Sequence, residues 1–182
     1  MAGRRRFADL RRKASVAVHL LGSVRVAVVG QSMQPTLRDG DRLLVSRLAY
    51  RLRRPRRGEI VLLRRNAGGA HNPESIKRIV GLPHERVQIV AGEVRLNGCP
   101  LPEPYLPQPA DEAERAMLTV ALALTPACAW RLGPDEYIVL GDNRARSTDS
   151  RSFGPVRRRD IVGKAWYRYG PRGRVGTIDG IG

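Results

Sequence analysis

The stretch VVGQSMQPTLRDGDRLLVSR, residues 28–47, joins two short apolar runs through a turn that carries a serine. Gly30 removes side-chain bulk just before Ser32, while Pro35 and the Arg-Asp-Gly-Asp turn constrain the chain just after it. Short apolar runs bounded by such turn residues are typical of β-strands. The pattern therefore predicts Ser32 on a rigid tip beside a strand, where the backbone of another chain can approach its hydroxyl.

The rest of the chain continues this pattern of short strands and polar turns. Apolar runs of strand length occupy residues 24–30, 41–48, 59–64, 75–81, 136–141 and 160–170, and residues 86–98 have the form of a hairpin. Strands at this spacing predict a mainly β, antiparallel, barrel-like fold. Residues 113–125 leave two alternatives open, because their start favours a helix whereas the run LTVALAL reads equally well as a strand.

Composition limits the partners of the chain. Its 182 residues, 42% of them hydrophobic, can bury the core of one domain. The formal charge of +16 points to an anionic partner, either nucleic acid or a membrane lipid surface. Aromatic residues that stack on bases make up 5% of the chain, so we expect no nucleic acid. Cys99 and Cys128 lack metal-ligand spacing, and the sequence leaves open whether they are thiols or a disulfide.

Residues 1–25 form a basic and apolar segment ahead of the domain, which we assign to residues 26–182 with a small insertion at about 86–130. The run RRRFADLRRK, residues 4–13, precedes an uncharged run at 14–24. That run is half as long as the roughly 20 residues that a spanning helix needs. A helix lying on a membrane surface therefore suits the segment better than a span. An ordinary amphipathic helix packed on the domain is the alternative.

A serine becomes a nucleophile beside a group that can take its proton. No local pattern places a histidine beside Ser32; the histidines are His19, His71 and His84. Lysine is the better candidate, because arginine does not lose its proton in proteins whereas burial can bring the pKa of a lysine toward neutrality. The chain contains three lysines, which are Lys13, Lys77 and Lys164.

Lys77 lies in the run SIKRIVG, residues 75–81, where a strand is predicted. Side chains alternate between the two faces of a strand, so Lys77 shares one face with Ser75 and Ile79 while Arg78 points to the other. This alternation predicts that Lys77 is desolvated and that Arg78 stays in water.

Four motifs occur in a fixed order: SMQPTL at 32–37, GEIVLL at 58–63, KRIVGLPHE at 77–85 and GDNRARSTDSRSFGPV at 141–156. Together they resemble the bacterial type I signal peptidases, which are membrane-bound Ser/Lys endopeptidases that remove signal peptides from exported proteins. The resemblance covers roughly residues 26–169, and its last motif is long and very specific. It implies no metal and no cofactor.

The resemblance also assigns roles to individual residues. Ser32 matches the nucleophile, with its backbone N–H contributing to the oxyanion hole, and Lys77 matches the general base. Ser147 matches a serine whose hydroxyl helps to orient the lysine. A charged cluster that braces the wall of the active site, with acids and bases suited to pair with one another, comprises Asp142, Arg144, Asp149 and Arg151. The candidates for the substrate pocket are Met33, Ile79 and Leu82.

The function implied is cleavage of signal peptides from exported preproteins after small residues, by a protein of the cell membrane whose catalytic domain lies on the extracytoplasmic side. Gly30 stands where some family members carry a Ser or Thr that donates a second hydrogen bond to the oxyanion. Two alternatives stay open. One is a maturation protease dedicated to a single substrate with the same chemistry, and the other is a basic, nucleic-acid-binding β-barrel.

Overall fold

A computed structural model of the chain describes residues 22–51, 53–65, 74–109, 111–123 and 127–178. Within these ranges the chain forms twelve β-strands and two α-helices. The strands are β1 (Ser23–Ala27), β2 (Arg42–Ser46), β3 (Ile60–Arg64), β4 (Glu74–Gly81), β5 (Arg86–Val90), β6 (Glu93–Leu96), β7 (Cys99–Pro100), β8 (Cys128–Arg131), β9 (Glu136–Leu140), β10 (Val156–Arg157), β11 (Ile161–Gly170) and β12 (Gly176–Thr177). The helices are α1 (Glu112–Ala123) and α2 (Ser150–Phe153).

The strands of the described residues pair antiparallel throughout and form two sheets. The larger sheet has the order β1-β2-β11-β3-β4-β9-β10, with β12 added against β11, and the smaller has the order β7-β6-β5-β8. Register shifts in β4 and β11 mark irregularities of the β-bulge type, which bend a strand and curve the sheet around its core. The prediction of a mainly β, antiparallel fold is confirmed.

Helix α1 resolves the ambiguity that the sequence left at residues 113–125. Asp111 caps its start by accepting a hydrogen bond from the backbone N–H of Glu114 at 2.7 Å. The acidic side chains of Glu112 and Glu114 lie in the first turn, where they complement the helix dipole. The helix buries none of its residues, and Met117 and Val120 are exposed on it. Local helix signals therefore favour this helix, with partial burial of Leu118 and Leu122 as its contribution to packing.

The smaller sheet spans residues 86–131, nearly the stretch proposed above as an insertion. Its hairpin β5–β6 turns through Ala91 and Gly92, which both have positive φ, as two-residue hairpin turns require. A buried cluster, the third cluster, fills the space between this sheet and the larger one with side chains from both. The division of the chain into domains stays a prediction.

Residues 1–21, which carry most of the segment proposed to contact a membrane, lie outside the described residues. The rest of that segment includes the start of β1, which pairs with β2 from Ser23 onward. A helix of sufficient length and apolarity to cross a bilayer is not found in the part of the chain that the structure describes.

Two further clusters of buried side chains pack against the larger sheet. The first cluster, which lies beside the turn that carries Ser32, comprises Val28, Met33, Leu37, Leu43, Val45, Ile60, Leu62, Ile76, Ala165 and Ile178. The second cluster comprises Ala49, Tyr50, Val61, Leu63, Ile79, Tyr137, Val139, Val156 and Ile161. Complete burial of each large apolar side chain stabilises the fold by roughly 1.5–3 kcal/mol. The first cluster therefore stabilises the conformation of the turn, because Met33 and Leu37 of the turn are buried in it.

Candidate active site

The turn between β1 and β2 is anchored on both sides of Ser32. Before the serine, the backbone N–H of Gly30 donates to the carboxylate of Asp39 at 2.7 Å, with Gly30 at φ +89°. After it, Leu37 N–H donates to the carbonyl of Met33 at 2.8 Å, and both of those side chains are buried in the first cluster. The Ser32 side chain itself is only partly buried. The turn therefore holds a reachable hydroxyl on a fixed backbone.

Lys77, on β4, places its amine beside that hydroxyl. Its Nζ lies 3.0 Å from Ser32 Oγ and 3.0 Å from the carbonyl oxygen of Ile76, and the residue is 4% exposed. Burial lowers the pKa of the Lys77 amine below its ordinary value, because it disfavours the ammonium form. The charge of Arg65 acts in the same direction, whereas the carboxylates of Asp149 and Asp142 oppose it. A neutral amine at this distance can accept the proton of the serine hydroxyl.

The loop after β9 fixes the Ser32 backbone from a second direction. The N–H of Asn143 donates to the carbonyl oxygen of Ser32 at 3.0 Å. A Cβ at Gly141 would collide with that same carbonyl oxygen and with the Ser147 hydroxyl. The absence of a side chain at Gly141 therefore lets two distant segments meet at the serine.

Arg78 is buried, which corrects the prediction that it stays in water. It is 1% exposed, and its guanidinium donates two hydrogen bonds to Asp142, at 2.9 and 2.7 Å, and one to the carbonyl of Gly58 at 2.7 Å. The ring of Tyr105 lies 3.9 Å from the guanidinium carbon. Strand alternation correctly predicted opposite faces for Lys77 and Arg78, but the loop after β9 and the segment around Tyr105 cover the second face as well.

The predicted mutual pairing within the charged cluster holds for one pair. Arg151 donates to the buried carboxylate of Asp149 at 2.8 and 2.9 Å. Asp142 pairs instead with Arg78, and Arg144 makes a two-point ion pair with Glu103 in the proline-rich segment. Arg78 and Glu103 come from distant parts of the sequence, so local spacing within the motif carries no signal for these two pairs.

Asp149 connects the cluster to the loop that meets Ser32. Its carboxylate accepts a hydrogen bond from Gly141 N–H at 2.9 Å and also caps the start of α2. Burial alone would raise the pKa of this carboxyl. The hydrogen bond and charge of Arg151, with the Gly141 N–H and the Ser147 hydroxyl, more than offset burial and hold the pKa below its ordinary value. Asp149 therefore stays ionised beside the site.

Ser147 lies at the site but makes no hydrogen bond to the lysine in the described structure. Its Oγ is buried, has no well-aligned hydrogen-bond partner among the described residues, and sits against Gly141. It lies close enough to Asp149 to help lower the pKa of that carboxyl. The orienting role implied by the family resemblance stays a prediction.

The three pocket candidates lie in two different places. Met33 is 2% exposed and packs in the first cluster, beneath the serine turn. Ile79 is fully buried in the second cluster, with Leu82 packed against it, and the assignment of the three residues to a substrate pocket stays a prediction. Sequence reasoning missed Ile76, which borders Lys77 on β4 and belongs to the first cluster. Its position next to Lys77 in the sequence could have indicated that it lies at the site.

Of the three histidines, the structure describes His84 alone, and it makes no hydrogen bond to Ser32. His84 is exposed in the turn between β4 and β5, where its N–H donates to the carbonyl of Leu132 at 3.1 Å. His19 and His71 lie outside the described residues.

A serine hydroxyl beside a buried lysine amine, on an antiparallel β scaffold, defines a site of the Ser/Lys hydrolase type. Residues 14–169 match the family model described as signal peptidase, peptidase S26, and the chain belongs to that family.

Curated relatives of the chain include signal peptidases of several bacteria. Signal peptidase I of Leptolyngbya laminosa is 35% identical over 83% of this chain and 70% of its own. Probable signal peptidase I-2 of Synechocystis is 38% identical over 83% of this chain and 65% of its own, so the match spans slightly less than two thirds of that relative. Signal peptidase I of Bacillus caldolyticus is 35% identical over 86% of this chain and 87% of its own.

Proposed function

We propose that this protein is a serine endopeptidase that cleaves signal peptides from preproteins after small residues, with Ser32 as the nucleophile and Lys77 as the general base. One observation carries the proposal: the buried Lys77 amine lies 3.0 Å from Ser32 Oγ, and both residues fall within the range 14–169 that matches the family model. Membership of the signal peptidase family supports the substrate class.

In the proposed reaction, neutral Lys77 takes the proton of Ser32 as Oγ attacks the scissile carbonyl carbon. The protonated amine then gives that proton to the nitrogen of the leaving amine, and the peptide bond breaks to leave an acyl ester on Ser32. A water molecule, deprotonated by Lys77, hydrolyses the ester and restores the serine hydroxyl. Each turnover therefore consumes one water and returns the lysine to its neutral form.

The developing oxyanion would be met by the backbone N–H of Ser32, which makes no hydrogen bond within the described residues. Gly30 offers no side-chain donor, and its own N–H is held by Asp39. The site therefore relies on backbone donors for this part of the chemistry. Asp142, Arg144, Asp149 and Arg151 hold the walls in place through the ion pairs described above.

The substrate would bind as an extended strand along β4. That strand pairs with β3 along residues 74–78, but its pairing with β9 begins only at Arg78. Residues 74–77 therefore have an edge without a strand partner among the described residues, and this edge leads to Lys77. An extended peptide can add to such an edge through main-chain hydrogen bonds. The closely packed first cluster beside it favours a small side chain next to the scissile bond.

The place of action proposed is the outer face of the cell membrane, with residues 1–25 providing the attachment. The support is the sequence itself, because a basic run followed by an apolar run favours a cytoplasmic or headgroup position for the basic residues. Family membership supports the same location.

Cleavage of a purified preprotein tests the proposal. Ser32→Ala, Lys77→Ala and Lys77→Arg should each lose essentially all activity, since nucleophile and base act as one unit and arginine cannot release its proton. Two matched controls should keep wild-type activity. Lys164→Arg preserves an ion pair with Glu59, and Ser152→Ala removes an exposed hydroxyl. Substantial cleavage by the Lys77 variants would overturn the proposed base, and cleavage by Ser32→Ala the proposed nucleophile.

A further inference from the structure

A groove opens beside the turn that carries Ser32. Its walls come from four segments, which are residues 34–38 of the turn, residues 143–146 of the loop after β9, residues 107–109 of the proline-rich segment, and helix α1. We call it the α1 groove. It encloses about 1140 Å³, which is more than the roughly 300–1,000 Å³ of a small-molecule pocket. Its size therefore suits a length of polypeptide.

The α1 groove begins at the proposed nucleophile. Gln34, on its wall, is two residues after Ser32, so the Cα atoms of the two are at most about 7.6 Å apart. Asn143, on the same wall, donates its N–H to the carbonyl oxygen of Ser32 at 3.0 Å, and Arg146 donates to the side chain of Gln31 at 3.1 Å. None of the described residues that line the groove belongs to β4. The groove therefore reaches Ser32 from a side other than the β4 edge.

Helix α1 presents an apolar stripe to the groove. Ala113, Met117 and Ala121 line it, and their four-residue spacing puts them on one face of the helix. Met117 is 74% exposed. Its unbranched side chain can adapt to partners of different shape, which suits a surface that meets many sequences. A partner seated in the groove would cover this stripe of a helix that buries none of its own residues.

The charges on the groove balance one another. Arg38 and Arg146 face it from the side of the serine turn, and Asp111 and Glu114 face it from α1. On a chain with a formal charge of +16, a surface with two charges of each sign does not favour an anionic lipid or a nucleic acid. Three amide side chains also line the groove, and amides can both donate to and accept from a peptide main chain. This combination fits an extended peptide.

We propose that the α1 groove binds the segment of the preprotein that follows the scissile bond. This inference rests on the proposed function, in which Ser32 is the nucleophile. The substrate of an endopeptidase continues on both sides of the scissile bond. The β4 edge takes the side before the bond, and the α1 groove takes the side after it, with apolar side chains against Met117 and Ala121. Cleavage therefore depends on the first residues of the mature protein as well as on the signal peptide.

The test is kcat/KM for synthetic peptides that share one signal-peptide segment and carry one, three or six residues after the scissile bond, alanine and leucine in alternation. An extended chain advances by about 3.3 Å per residue, so six residues reach about 20 Å from the nucleophile. Met117→Glu and Ala121→Glu put a charge on the stripe of the full-length enzyme. Val120→Glu and Ala116→Glu are the matched controls, because both residues are exposed on α1 and neither lines the groove.

The quantity compared is the gain in kcat/KM from the shortest to the longest peptide, which is a ratio within each enzyme and does not depend on the fraction that is folded. The wild type should gain about tenfold, which corresponds to burial of one large apolar side chain. Met117→Glu and Ala121→Glu should lose most of this gain, because a carboxylate buried against apolar side chains is unfavourable. Val120→Glu and Ala116→Glu should keep it.

A wild-type enzyme that gains nothing from the longer peptide overturns the inference, and so does an equal gain in all four variants. If that equal gain comes with weaker binding of Met117→Glu to anionic vesicles, the stripe contacts lipid instead. If it comes with the loss of a dimer in sedimentation, the stripe contacts a second copy of the chain. A loss confined to peptides lengthened before the scissile bond would put the other side of the substrate in the groove.

Ser32→Ala separates these results from a failure of the proposed function. If Ser32→Ala cleaves none of the peptides and the gain is the same in all four variants, only the role of the α1 groove is wrong. An active Ser32→Ala overturns the proposed function itself.

Discussion

At the scale of single residues, Lys77 lowers stability in a way that depends on pH. Its pKa is lower in the folded chain than in the unfolded chain, so between those two values the unfolded chain binds more protons. The free energy of unfolding therefore rises with pH through that window, toward the ordinary pKa of lysine. Lys77→Met removes the titrating group and with it this rise.

We expect the free energy of unfolding of Lys77→Met to exceed that of wild type most at the acid end of a series from about pH 6 to 9.5. The difference should shrink as the pH increases. Urea unfolding at each pH measures the difference. Lys164→Met is the control, because Lys164 pairs with Glu59 at 3.3 Å and its removal takes away an attractive contact. Parallel pH dependences for wild type and Lys77→Met would contradict a lowered pKa at this site.

The Arg78–Asp142 pair gives a second prediction at this scale. Both side chains are 1% exposed, so Asp142→Asn leaves a buried guanidinium without its counter-charge. We expect a loss of about 3–5 kcal/mol in the free energy of unfolding. Glu74→Gln breaks the half-exposed pair with Arg64 and should cost less than about 1 kcal/mol. Equal losses in the free energy of unfolding of the two variants, measured with urea, would show that burial does not determine how much each ion pair contributes to stability.

Single residues also mark the limit of what the sequence could predict. Ser32 and Lys77 were identified because lysine is rare in this chain and their motifs are specific, and the structure places the two side chains 3.0 Å apart. The exposure of Arg78 was predicted wrongly, because strand alternation gives the direction of a side chain but not what covers it. Glu103 was missed, since its contact with Arg144 depends on the path of a proline-rich segment.

At the scale of elements, the junction between the Ser32 turn and the end of β9 depends on Gly141. Gly141→Ala would push a methyl group into the Ser32 carbonyl oxygen, which is backbone and cannot rotate away. Because a displacement of about 1 Å at a nucleophile costs on the order of 100-fold in rate, we expect at least that loss in kcat/KM.

Gly176→Ala provides the matched control for this substitution. A Cβ at Gly176 meets no atom within 4 Å, so the variant should cleave preprotein at the wild-type rate. Wild-type activity in Gly141→Ala would mean that the two segments can separate without harm to the site.

The strands were more predictable than the helix. Their limits follow turn residues that the sequence displays, so β3, β4 and β9 lie within about a residue of the predicted runs. At α1 the apolar run LTVALAL was compatible with a helix and with a strand. The helix begins at a cap on Asp111, and only Leu118 and Leu122, four residues apart, are partly buried on it, so its apolar periodicity is a weak signal.

At the scale of the whole molecule, the charge of +16 leads to a prediction about membranes. Residues 4–13 contain six basic residues and one acidic residue, and each basic residue near an anionic surface contributes about 1 kcal/mol of attraction. Replacing these six by glutamine in the full-length chain should weaken binding to vesicles that contain anionic lipid. Added salt should weaken binding by the wild type as well.

A second full-length variant distinguishes membrane attraction by residues 4–13 from attraction by the net charge of the whole protein. It replaces six exposed arginines of the domain by glutamine, at Arg51, Arg86, Arg131, Arg157, Arg159 and Arg172. Co-sedimentation with vesicles should show a smaller loss for this variant. An equal loss would assign the attraction to net charge and remove the special role of residues 4–13.

The edge of β4 that has no strand partner in the described part of the chain also makes the proposed reaction sensitive to the conformation of the substrate. A segment that has already folded uses its own backbone N–H and C=O groups, so it has none left to pair with residues 74–77. Cleavage must then compete in time with the folding of the exported chain. A cleavage site that folds first would escape, and one that stays extended would be cut, so the edge selects substrates by their kinetics of folding as well as by their sequence.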